Sequence, residues 1–163
     1  MAQAWKMPPL IKVYEAMGAV GDGRVRIVDE ANALVTSSDG SKTYSVYIGD
    51  GGRAIASDDN ASRWQGYVGY PPIAVLIQRG VLKVPANVCD SLAEIPWKEI
   101  NRRNHNDYSK TLAEVSRTVE ESGHDPDAVA AEAQALLEAL RALAPYRTIP
   151  PRRATESSRT KRI

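Results

Sequence analysis

Residues 54–77, AIASDDNASRWQGYVGYPPIAVLI, constrain the fold more than any other stretch of the chain. They hold the acidic pair Asp58 and Asp59, three aromatics spaced by three (Trp64, Tyr67, Tyr70), the pair Pro71 and Pro72, and the most apolar run in the sequence, 73–77. Paired prolines suit the first turn of a helix, where a missing N–H does no harm, so 73–78 is expected to be a buried helix stopped by Gly80. The aromatics supply apolar area for the same core at about 25 cal/mol per Å² buried, which predicts that they are partly core. Gly66 and Gly69 limit any helix begun at 58–62 to a short one.

Upstream of this stretch lie four β-prone runs at 24–29, 31–36, 43–48 and 53–57. The third alternates most clearly, with Tyr44, Val46 and Ile48 on one face, as a half-buried strand requires. Asp39 with Gly40, and Asp50 with Gly51 and Gly52, accept positive φ cheaply and mark the turns, so the region reads as an antiparallel meander. Ahead of it, Leu10, Ile11, Tyr14 and Met17 form one stripe of an amphipathic helix over 9–18, with Gly18 as its stop.

Downstream, 81–84 reads as extended and 85–92 as a short helix. Residues 97–121 follow, with Ile100, Tyr108, Leu112, Val115 and Val119 on one side. Gly123 to Pro126 breaks that pattern. Asp125 then caps a second helix with Pro126 at its first position. Its stripe is Val129, Ala133, Leu136, Leu140 and Leu143, and two stripes joined by a short breaker make an antiparallel helical hairpin. The expected fold class is therefore α+β. Residues 1–95 form an α+β domain with a small antiparallel meander and a packed short helix, 96–144 a helical hairpin, and 145–163 a flexible basic tail.

The order of ALVTSSDGSKTYSVYI, AIASDDN and YPPIAVLI resembles the ββα layout of the SWIM domain, a zinc-binding module of proteins that handle DNA or other proteins. The resemblance covers about residues 33–78. It implies two ligands at a strand end and two just before the helix, positions that fall here on Ala56, Asp58, Tyr70 and Pro72. Alanine and proline have no donor side chain and tyrosine rarely binds zinc, so the resemblance implies a relative without the metal.

Charge is distributed unevenly. Of 21 cations and 20 anions, Arg147, Arg152, Arg153, Arg159, Lys161, Arg162 and the single anion Glu156 lie in 145–163, a net of +5. Residues 1–144 keep 15 cations and 19 anions, a net of −4. At 43% apolar and 25% charged, the composition is that of a globular protein. One cysteine, Cys89, forms no intramolecular disulfide and suits a reducing compartment. The N-terminal stretch is interrupted by Lys6, Pro8, Pro9 and Lys12, unlike a signal peptide, and no span is long enough to enter a membrane. A cytoplasmic location without membrane association is expected.

Catalytic patterns are not visible. Asp58 and Asp59 are adjacent and point to opposite faces of an extended chain, which favours cap and turn roles over a carboxylate pair. His105 and His124 lack metal-ligand spacing. Cys89 has no nearby cation or base to activate it. Gly40 to Thr43 leads into a strand rather than the helix that a phosphate loop requires. No catalytic residue, metal or cofactor is assigned.

The expected function is a non-enzymatic macromolecular-interaction module, with an enzyme whose catalytic residues are scattered along the chain as a further alternative. Its leading form is nucleic-acid association through Lys98, Arg102 and Arg103 at a helix start, helped by Arg63 and Trp64 and by Arg152 and Arg153 in the tail. The alternative is a protein-protein adaptor or homodimer in which Val129, Leu136, Leu137, Leu140 and Leu143 form the interface. These leucines exceed what one partner helix covers, and packing back on the sheet explains the excess equally well.

Overall fold

A computed structural model describes residues 2–151. The chain is α+β, built on one five-stranded sheet in the order β1-β2-β3-β4-β5. The meander is formed by β1 (Val25–Ile27), β2 (Asn32–Thr36), β3 (Thr43–Gly49) and β4 (Ala54–Ser57), each antiparallel to the next. Val46 and Ile48 are buried while Thr43 and Ser45 are exposed, so the alternation read in the third run sets which face meets the core. Asp39 braces the β2–β3 turn by accepting from Ser37 Oγ, Ser41 N and Ser41 Oγ.

Helix α2 (Tyr70–Gln78) lies on the inner sheet face. It starts earlier than expected, because Pro71 and Pro72 sit inside its first turn. Ile73 to Ile77 are all buried, worth about 1.5–3 kcal/mol for each large aliphatic side chain. Before it, residues Ala61–Gln65 make a single π turn that ends where Gly66 takes φ 75°.

Helix α1 (Leu10–Gly21) departs from the amphipathic reading of 9–18. Every residue from Ile11 to Ala19 except Lys12 is buried, because α2 packs on one side and α3 (Ala86–Ser91) and α6 (Pro126–Leu143) on others. Gly18 is therefore a packing site and not a stop. A Cβ there would come within 2.7 Å of Trp97 Nε1, and one at Gly21 would overlap the Cys89 carbonyl. A helix covered all round must satisfy any charge it carries, and Glu15 is such a charge.

The single helix expected over 97–121 is two, α4 (Trp97–Arg103) and α5 (Tyr108–Glu121). His105 and Asn106 take left-handed φ values of 51° and 60°, and Asp107 caps α5 by accepting from Lys110 N. Capping and turn chemistry here overrides the apolar spacing. Asp125 caps α6 as expected, accepting from Asp127 N. Residues 81–84 form no strand.

Val129, Leu136, Leu137 and Leu140 are buried, and Leu143 is half-buried. They face α1, α3 and α5 of the same chain, so the apolar excess of α6 is consumed by its own core. The four buried positions of the interface reading are thus covered within the chain, and Leu143 alone of the five stays partly exposed. One apolar cluster runs from Trp5 through α1, the sheet and α2 to Leu140, so the boundary at 95/96 separates styles of secondary structure and not cores.

The segment read as a flexible tail begins as structure. Tyr146–Arg147 form β5, parallel to β4, through Tyr146 N to Arg53 O and Thr148 N to Ile55 O. Arg147 stacks 4.2 Å over the Trp5 ring and donates to Ser62 O, joining both ends of the fold to the π turn. Arg152 and Arg153 lie outside the described residues.

Candidate functional site

Consecutive residues of a strand point to opposite faces, and the two faces of this sheet carry two different concavities. Tyr44 lines an inner cleft, and its neighbour Ser45 lines an outer groove.

The inner cleft, about 440 Å³, opens between the β2–β3 turn, the residues before α2, helix α1 and helix α4. Five cations line it (Lys12, Arg24, Lys42, Lys98, Arg102) against two carboxylates, Glu15 and Asp59. Both carboxylates are matched inside the chain. Glu15 accepts from Asn101 Nδ2 at 2.7 Å and pairs with Lys12 Nζ at 3.0 Å. Burial pulls the Lys12 ammonium down in pKa, yet Glu15 outweighs that and holds it above its ordinary value. Asp59 accepts from Ser57 Oγ, Ser62 N and Ser62 Oγ and sits against Gly69, just ahead of the α2 N-terminus, where the helix dipole favours a negative charge. Asp58 instead accepts from Ser45 N of β3, on the other side of the sheet, so Asp59 holds a turn while Asp58 extends the β3–β4 ladder.

The cations differ in their commitments. Arg24 is held by Asp22 at 3.0 Å and by Thr36 O at 2.6 Å. Lys98 reaches across the mouth to Asp39 at 3.2 Å and Ser41 Oγ at 2.8 Å, with both charges about half exposed. Asp39, bonded to Ser41 and Ser37 and facing Lys98, is held well below the usual carboxylate range. Lys42 and Arg102 are exposed and pair with no carboxylate among the described residues. On the wall, the Tyr44 and Tyr70 rings meet edge to face at 6.2 Å, and burial pushes both phenols up in pKa.

The outer groove, about 600 Å³, runs over the face opposite α2. Arg26, Leu34 and Ser45 form one row across three strands, and Asn32, Tyr47 and Ala56 form the next. Arg63 lines it from the π turn, and so do Pro150 and Pro151. Trp64, beside Arg63, is 74% exposed, whereas Tyr67 and Tyr70 are half-buried. Of the three aromatics expected to be partly core, Tyr70 packs against the core cluster, Tyr67 is half-buried and Trp64 is in water.

The predicted basic cluster is thus divided. Lys98 and Arg102 line the inner cleft, and Arg103 turns away to pair with Glu114 on α5. Arg63 belongs to the opposite face. The positions implied by the SWIM resemblance divide likewise, with Ala56 and Asp58 on the outer groove and Tyr70 on the inner cleft. Among the described residues, no three His, Cys, Asp or Glu side chains gather as a metal site, and no helix is long and apolar enough to cross a membrane. In the sequence alone Glu15 has no site role, and neither Asn101 nor Lys42 is among the site residues assigned there. A glutamate on the apolar side of α1, three residues after Lys12, was the available signal for the first.

No curated protein and no solved structure matches the chain. The family model described as "Uncharacterised conserved protein UCP014422" matches residues 5–146, from the tryptophan under Arg147 to the first residue of β5. That span holds both concavities apart from Pro150 and Pro151, and the chain belongs to the UCP014422 family.

Proposed function

We propose that the protein is a nucleic-acid-associated module without catalysis, which lays a single strand over the outer sheet face. The observation that carries this reading is Trp64, 74% exposed and next in sequence to Arg63, which lines the groove. An indole left in water offers a base a stacking surface worth about 1–3 kcal/mol. Arg26 and Arg63 supply cations for the phosphates, and the nearby Asp58 already accepts from Ser45 N. Arg152 and Arg153 come directly after Pro151 in the sequence, and their charges would add salt-dependent affinity for a polyanion.

Anisotropy of a labelled single-stranded oligonucleotide of about twelve nucleotides, titrated at several salt concentrations, tests the reading. Binding should weaken steeply with salt. Arg63→Ala should reduce the slope of log K against log salt by about one, and Trp64→Ala should cost about 1–3 kcal/mol. Affinity indifferent to salt, or unchanged by Trp64→Ala, overturns it.

A further inference from the structure

The inner cleft lies across the sheet from the outer groove, and the strand proposed for that groove does not use it. Three observations there point the same way. Its carboxylates are consumed within the chain, Glu15 by Lys12 and Asn101, and Asp59 by Ser57 and Ser62. Two of its cations are not consumed: Lys42 on the β2–β3 side and Arg102 on α4 have no carboxylate partner among the described residues, and Lys98 is held at the surface by the half-exposed Asp39 and by Ser41 Oγ. Asn101, 8% exposed, also lines the cleft, and its Oδ1 has no hydrogen-bond partner among the described residues.

Two uncommitted cations on facing elements match one doubly charged group. A guanidinium binds phosphate oxygens through its fork, and an ammonium adds a point charge. An unmatched amide acceptor calls for a donor, which a hydroxyl or an amine supplies. The edge of the Tyr44–Tyr70 pair gives the remaining wall an aromatic surface with polar ends. A volume of about 440 Å³ falls within the range of small-ligand sites and is too small for a duplex.

We propose that the inner cleft is a binding site for a small phosphate monoester carrying hydroxyl or amine groups. Lys42 and Arg102 hold the phosphate, and Lys98 exchanges its contact with Asp39 for one with the ligand. Asn101 takes a hydrogen bond from the ligand's polar body. The site is independent of the outer groove, so either can fail without the other.

Calorimetric titration of the full chain with AMP, ribose 5-phosphate and adenosine tests the assignment. At least one of the two phosphorylated probes should bind saturably, and adenosine should bind at least about tenfold more weakly. The double variant Lys42→Ala/Arg102→Ala, at exposed positions that the fold does not need, should weaken the phosphorylated probe by about tenfold or more, while Trp64→Ala should leave it unchanged. No saturable binding of either phosphorylated probe overturns the assignment. Equal affinity for adenosine, or an unaffected double variant, does so as well.

Discussion

The side-chain amide of Asn101 donates to Glu15 Oε1 across 2.7 Å and 86 positions of sequence, tying α4 to the buried helix α1. Glu15 Oε2 accepts no hydrogen bond among the described residues but faces Lys12 Nζ at 3.0 Å, and this ion pair offsets a charge that would otherwise be costly in the core. The same bond orients α4, and through it Arg102 at the cleft. Asn101→Ala removes one of the two partners and should lower the unfolding free energy by about 1–3 kcal/mol in urea titration. A midpoint indistinguishable from the parent would show that Lys12 alone suffices.

Alkaline pH should destabilise the fold. Burial raises the pKa of Tyr14, Tyr44, Tyr67 and Tyr70, and for Lys12 the pull of Glu15 exceeds the opposing effect of burial. Groups with raised folded values contribute fully below their unfolded values, about 10 for tyrosine and 10.4 for lysine, and lose that contribution as pH rises through the folded ones. The urea midpoint should therefore fall as pH is raised from 9 towards 11.5. A flat or rising midpoint would contradict the burial of these groups.

Cys89 is buried, and desolvation, helped by the charge of Asp90, pushes its thiol up to about 11. Very little thiolate exists at pH 8, and a disulfide reagent must attack that form. Thiol titration with such a reagent should proceed slowly on the native protein and to one equivalent in urea. Rapid native reaction would place Cys89 at the surface.

Gly69 lies directly against the Asp59 carboxylate, with no room for a Cβ. Gly69→Ala must displace Asp59 from Ser57 and Ser62, and a cost of about 2–3 kcal/mol is expected by thermal or urea denaturation. Trp64→Ala, at an exposed position, should change stability by less than about 0.5 kcal/mol.

Leu140 is fully buried, whereas Leu143 is only half so. Leu140→Ala should cost about 2–5 kcal/mol and Leu143→Ala clearly less, with no change in molar mass by light scattering for either. A fall in mass on either substitution would restore α6 as a contact between copies.

Legibility along the chain followed how local the governing physics is. The β3 alternation, the Asp-Gly turns, the Pro pair and the Asp125 cap are decided by a few neighbouring residues, and each lies close to where it was read. The break between α4 and α5 was missed because Asn104, His105, Asn106 and Asp107 form a turn by side-chain and backbone preferences that an apolar count does not register. Strand β5 was missed because two residues carry no period, and their pairing depends on Ala54 and Ile55 lying alongside.

The site residues divide in the same way. Lys98, Arg102 and Arg103 are neighbours in sequence, but a helix of seven residues points them at different partners, Asp39, open cleft and Glu114. Lys42 and Asn101 became relevant only once the β2–β3 turn and α4 were brought to the same cleft.

By itself, then, the order of residues determined an α+β chain with a meander, a proline-started buried helix and a last helix capped by Asp125, since turn chemistry, caps and periodicity act over less than about five residues. Tertiary structure alone decided that α1 is wrapped by its neighbours, that the leucines of α6 close the protein's own core, and that Lys42 and Arg102, without a carboxylate partner among the described residues, line one cleft. Those outcomes depend on which distant surfaces touch, and burial energy depends on the area two surfaces hide from water and not on their separation along the chain.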